Sequence, residues 1–137
     1  MKLEPSAFIA DPELIQALEQ QATCSTCQDG QILFRQGDAP SGLYILCHGE
    51  ATLTMTSVTG ETVTSLQAPA GSLLGLPGLI GDEPYTLTAV ASKDSKFCFI
   101  DRDKFTSFMK GNPQLSLKIL QVLAAEVRSA RRALADL

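Results

Sequence analysis

The sequence predicts a mainly β protein, an antiparallel barrel or sandwich framed by helices. Two observations predict it. Between Gln31 and Phe99, short apolar stretches alternate with turn signals at Gly30, Gly37-Asp38, Pro40-Ser41-Gly42, Gly49, Thr59-Gly60, Pro69-Ala70-Gly71 and Gly81-Asp82. Turns spaced by roughly 8–12 residues are the signature of short strands in an all-β body. On both sides of this stretch the apolar spacing becomes helical. At 137 residues, with 45% hydrophobic and 19% charged side chains, the chain is long enough to bury a core and too apolar for bulk disorder. One domain is expected over residues 1–137, with an N-terminal helix at 11–21, the β body at 22–100 and helices at 101–137.

Asp11 caps the first helix, Pro12 takes its first position, and Leu14, Ile15 and Leu18 share a face. Leu43–Cys47 is an almost unbroken apolar run and predicts a strand buried on both faces. In Ala51–Thr56 the alternation is strict, with Ala51, Leu53 and Met55 on one face and threonines on the other. Thr59-Gly60 turns this strand into the next, at Thr62–Leu66. Ser95–Ile100 is a late strand. Asp101 or Asp103 then caps a short helix carrying Phe105, Phe108 and Met109, which Gly111 ends. Pro113 opens a last helix that runs nearly to Leu137.

That helix carries a heptad. Leu120, Val127 and Leu134 are seven apart, and Leu123, Ala130 and Leu137 form the interleaved set, the a/d seam by which two helices pair. Glu126 and Arg131 fall at g and e positions and would face each other across a parallel pair. The same spacing also describes a helix packed on its own domain. Leu115, Leu117 and Ile119 are expected to lie on the β body.

The net charge of −4 does not advertise the basic face of a general nucleic-acid binder, and Arg128, Arg131 and Arg132 read as a solvated helix end. No apolar run reaches the ~18–20 residues of a membrane helix, and the first residues lack a signal peptide's apolar segment. A cytoplasmic protein with no membrane partner is expected. In that compartment Cys24, Cys27, Cys47 and Cys98 argue against a disulfide framework and read as structural thiols. The Cys24–Cys27 pair enters a strand rather than a helix, and no second close pair completes a zinc site. There is no metal-spaced histidine set, no nucleophile–base arrangement and no P-loop, so no enzyme is expected.

The glycine-rich stretch Gly71–Ala89 has glycines close enough for backbone N–H groups to approach an anion. From here the chain resembles a cyclic-nucleotide-binding domain of the catabolite-activator/FNR-type regulators, over about residues 14–135. The resemblance rests on Gly30–Asp38, Leu43-Tyr44-Ile45 leading to Gly49, the turn at Gly60, Pro69-Ala70-Gly71, Gly75, the segment ending Pro84–Ala89, Asp101–Phe105 and Asn112-Pro113 before the long helix. It implies a double-stranded β-helix, jelly-roll-like, with a dimerisation-type final helix. It places a ligand cassette at Gly75, Leu76, Pro77, Gly78, Leu79, Tyr85, Thr86, Leu87 and Thr88.

The family's cassette carries a glutamate for the ribose 2′-hydroxyl and an arginine for the cyclic phosphate. Here those positions are Leu76 and Tyr85. Charge-assisted hydrogen bonds contribute about 1.5–3 kcal/mol each, so losing two predicts at least a roughly hundredfold loss of affinity. The resemblance therefore implies a regulatory sensor domain that is not an ordinary cAMP or cGMP binder, with a small anionic effector held by backbone amides and the Tyr85, Thr86 and Thr88 hydroxyls. The alternative is a dimerisation or interaction module whose pocket Leu76 and Leu87 close. FNR-type relatives hold an iron–sulfur cluster and others haem. Cys24 and Cys27 abut the first strand, and His48 is the one imidazole, so neither cofactor is expected. A helix-turn-helix domain follows the long helix in full-length regulators; none lies within residues 1–137, so no direct DNA binding by this chain is expected.

Overall fold

The computed structural model describes residues 2–135. A 3₁₀ turn at Pro5–Phe8 leads to helix α1, Pro12–Glu19, capped as expected by the Asp11 carboxylate accepting from the Glu13 N–H at 2.8 Å. Eight strands follow, interrupted by one short helix: β1 Thr23–Thr26, β2 Gln31–Phe34, β3 Gly42–His48, β4 Glu50–Thr56, β5 Thr62–Pro69, β6 Leu73–Leu74, α2 Leu76–Gly81, β7 Thr88–Ala91 and β8 Lys96–Asp101. Helix α3, Arg102–Gly111, is capped by Asp101 accepting from Lys104 N–H, and α4 spans Pro113–Ala135.

The strands form two four-stranded antiparallel sheets, ordered β1-β8-β3-β6 and β2-β7-β4-β5. This is the jelly-roll-like arrangement, although the sheets face each other without closing into one barrel. Alternate residues of β3 serve two cores. Tyr44 and Leu46 enter the space between the sheets, while Leu43, Ile45 and Cys47 pack under the helices with Leu14, Leu18, Phe105, Phe108 and Ile119. A strand with a core on each side has no polar face to show, which is why its sequence lacks alternation. The strictly alternating β4 belongs to the other sheet. It buries Ala51 and Leu53 and turns Thr52, Thr54 and Thr56 away from the core.

Two expectations are corrected here. Cys24 and Cys98 sit directly opposite each other on β1 and β8 and form a disulfide. Cys24 is exposed rather than buried, and only Cys27 and Cys47 are free thiols. The pairing depends on strand register across 74 positions of sequence, so spacing could not reveal it. On α4, Ile119 is fully buried and Leu115 partly so, but Leu117 is 59% exposed. It stands one helical half-turn from the buried stripe.

Candidate ligand-binding site

The cassette segment begins at Gly75, whose φ of 89° is left-handed. A Cβ here would also lie 2.8 Å from the Tyr85 ring, so glycine is required twice over. From this turn, α2 drives its apolar residues in different directions. Leu76 and Leu79 are buried among the helix-side core residues. Leu76 does not line the space between the sheets, so it is not one of the residues that fill the pocket, contrary to the expectation from the sequence. The glutamate position of the family is here part of the hydrophobic core.

Tyr85 does fill the pocket. Its ring lies 4.3 Å, centroid to centroid, from that of Phe34, which in turn stacks on Tyr44 at 5.3 Å. Its hydroxyl donates to the Gly42 carbonyl at 2.8 Å and accepts from the Ser41 and Gly42 N–H groups at 3.0 and 3.2 Å. The backbone is held as firmly. Tyr85 N–H donates to Asp38 O at 2.9 Å, and its carbonyl accepts from Gly37 N–H at 2.8 Å. A buried phenol with its hydroxyl satisfied is a stable core element. It joins the cassette loop to the β2–β3 turn where a positive side chain would face a phosphate in the family pattern.

Beyond Tyr85 the residues separate. Thr88 enters β7, and its hydroxyl accepts from Gln36 N–H at 2.9 Å. Thr86 is exposed at the mouth, and Leu87 is half-buried against the inter-sheet core. Gly75, Pro77, Gly78, Tyr85, Thr86 and Leu87 line an inner cavity of about 20 Å³, completed by Phe34, Leu53 and Glu126 among others. That volume holds about one water and is far below the ~300–1,000 Å³ of ordinary small-molecule pockets. A second cavity of about 160 Å³ adjoins it and shares Phe8, Pro77, Thr86, Leu87 and Glu126.

Glu126 is the residue that the sequence placed elsewhere. Rather than standing at the rim of a helix pair opposite Arg131, it turns towards the β body and lines both cavities. Its Oε1 is enclosed and has no hydrogen-bond partner among the described residues. Burial alone pushes its carboxyl up to about 8. The heptad spacing was the wrong signal for it. The 3₁₀ turn packed on α4, with Ser129 Oγ accepting from Glu4 N–H at 2.7 Å, sets which side of the helix faces inward. The remaining seam residues divide. Leu120, Val127 and Leu134 are 45%, 45% and 58% exposed, Leu123 and Ala130 lean on the two cores, and Leu137 lies outside the described residues. Arg128, Arg131 and Arg132 are exposed.

Cys24, Cys98 and Cys47 come together across β1, β8 and β3, whereas Cys27 is buried in the inter-sheet core. The Cys47 sulfur lies 3.1 Å from the Cys98 sulfur. Burial, reinforced by Glu19, pushes the Cys47 thiol up to about 12, which keeps it protonated and a poor nucleophile. His48 ends β3 in solvent. Among the described residues, no helix is long and apolar enough to cross a membrane.

Comparison with known proteins bears on the family and the fold. The chain is 27% identical over 128 residues to the CRP-like cAMP-activated global transcriptional regulator of Mycobacterium tuberculosis, covering 93% of this chain and 57% of that protein. It is 30% identical over 100 residues to the transcriptional activator protein FnrA of Stutzerimonas stutzeri, covering 72% of this chain and 40% of the relative. The chain thus spans about half the length of these curated relatives. Its fold superposes on the crystal structure of the Thermus thermophilus catabolite activator protein with a TM-score of 0.80 at 23% identity, over 96% of this chain and 62% of that one. The family model for the cyclic nucleotide-binding domain matches residues 24–112, and the chain belongs to that family.

Proposed function

We propose that this chain is a regulatory effector domain whose cyclic-nucleotide cassette is closed by its own Tyr85, and which acts as a homodimer through α4. The observation that carries the reading is the Tyr85 hydroxyl, bonded to Ser41 and Gly42. An arginine is an obligate cation with a fork of donors. A tyrosine already committed to three backbone partners offers a phosphate no charge. The two relatives described above are transcription regulators, which supports a regulatory role in the cytoplasm. In the reducing environment of that compartment, Cys24 and Cys98 would exchange between disulfide and thiols. The exposed stripe of Leu117, Leu120, Val127 and Leu134 supports pairing of two α4 helices.

Calorimetric titration with cAMP and cGMP tests the closed cassette. No heat of binding is expected, and micromolar affinity for either would overturn the reading. Light scattering tests the dimer: a mass near twice 14.6 kDa is expected, and a monomer at all concentrations would remove that part.

A further inference from the structure

The 160 Å³ cavity is the larger of the two spaces that meet at Glu126. Its wall is apolar, built from Phe8, Met55, Pro77, Leu87 and Val127. The charged exception is the half-buried Glu126, which lines the space while its Oε1, turned away from solvent, has no hydrogen-bond partner among the described residues. Among the described residues, no cationic side chain from the 3₁₀ turn and the segment before it, β4, α2, the Thr86–Leu87 segment or α4 lines this space. A carboxyl with one oxygen shut off from water and unpartnered costs free energy, because that oxygen has lost water and gained no donor. It creates a demand for a hydrogen-bond donor, and the strongest donors for a carboxylate are protonated nitrogens.

We propose that this cavity binds a small organic amine, with an apolar body of about benzene size in the Phe8–Met55–Leu87 space and its ammonium paired with Glu126. The proposal rests on the reading that Tyr85 closes the phosphate position, since only then is the cavity free of a nucleotide. Size supports the class: an engineered apolar cavity of roughly 150 Å³ admits benzene. Charge supports it too. The anion expected from the family pattern would face a carboxyl here, whereas an ammonium satisfies it. The proton balance is explicit. Burial pushes the Glu126 carboxyl up to about 8, which favours its protonated form at neutral pH. On binding, the ammonium keeps its protons, the carboxyl becomes carboxylate and one proton passes to solvent.

The test is calorimetric titration of the full chain with benzylamine, benzyl alcohol and benzoate, each at neutral pH in two buffers of different ionisation enthalpy. Saturable benzylamine binding is expected, about tenfold or more tighter than benzyl alcohol, with benzoate silent and with a heat that varies with buffer because a proton is released. In Glu126→Gln the preference for the amine over the alcohol and the buffer dependence both disappear. No saturable benzylamine binding up to about 10 mM, equal binding of amine and alcohol by the unmodified protein, or tighter binding of benzoate would each overturn the proposal. So would an amine preference that survives Glu126→Gln. The comparison of three ligands on the unmodified protein decides the matter even where the variant folds poorly. A parallel cAMP titration separates the two readings. Heat with cAMP removes the closed cassette, whereas silence with both cAMP and benzylamine removes the amine site alone.

Discussion

The two sheets bury their residues in different ways. In β1-β8-β3-β6, the central strand β3 is covered on both faces, by the opposite sheet and by the helices, while the edge strand β1 is exposed. Leu43, Ile45, Leu46 and Ile100 are fully buried there, and a disulfide ties β1 to β8. In β2-β7-β4-β5, one face is buried and the other is wet, where Thr52 and Gln67 bond across β4 and β5. The core between the sheets is also the less complete one. It contains a tyrosine hydroxyl, an enclosed carboxyl and both cavities. The helix-covered core is the more completely packed, and the cavities and the orphan carboxyl oxygen lie with the other one.

Four changes sharpen this contrast, from the largest expected effect to the smallest. Cys24→Ser, or reductant, removes a crosslink between residues 74 apart. The loop-closure argument puts the stability loss at about 4 kcal/mol, read as a lower urea midpoint. An unchanged midpoint would show that the covered sheet does not depend on its crosslink.

The second test concerns the inter-sheet core. The carboxyl of Glu126 sits near 8, against an ordinary value of 4.5. Between about pH 5 and pH 8 the folded protein therefore keeps a proton that the unfolded chain has released. Stability falls with rising pH across this window, on the order of 1 kcal/mol per pH unit, and levels off above it. Glu126→Gln is expected to flatten that slope in urea titrations at several pH values. A slope retained in the variant would assign it to another group.

Third, Leu76→Ala should cost about 3 kcal/mol, as a fully buried leucine. The half-buried Leu87→Ala, next to an existing cavity, should cost less than half of this. Equal losses would mean that the two cores are packed alike. Fourth, Tyr85→Phe keeps the ring and strands the Ser41 and Gly42 backbone groups, for a loss of about 1–3 kcal/mol. A neutral result by thermal and urea unfolding would show that the hydroxyl does not hold the loop.

Local signals were legible in the chain, and non-local ones were not. Asp11 and Asp101 declare their helices because a cap acts within three residues. The threonines of β4 declare a wet face because alternation is a period of two. The loss of the family's arginine is visible at position 85, yet its hydroxyl's partners lie 43 and 44 residues away. Leu76 looked like a pocket residue because cassette order says nothing of which core each side of a short helix meets. Glu126 followed the heptad arithmetic on paper, but the rotation of α4 is settled by the 3₁₀ turn packed against it, through contacts such as Glu4 to Ser129 across 125 residues. Cys24 and Cys98 became partners only once β1 and β8 were in register.

Tyr85 has one more consequence. A diffusible effector moves a conformational equilibrium because its occupancy changes with concentration. A side chain tethered in the same place is always present, so whatever bias it exerts on α4 is constant. If Tyr85 closes the cassette as proposed, the phosphate position has no dose-response left to give, much like a receptor saturated with agonist. Control has to come from a quantity that still varies. On the proposals made above, that means the state of the carboxyl at Glu126, the occupancy of the cavity beside it, and the association of one α4 with another.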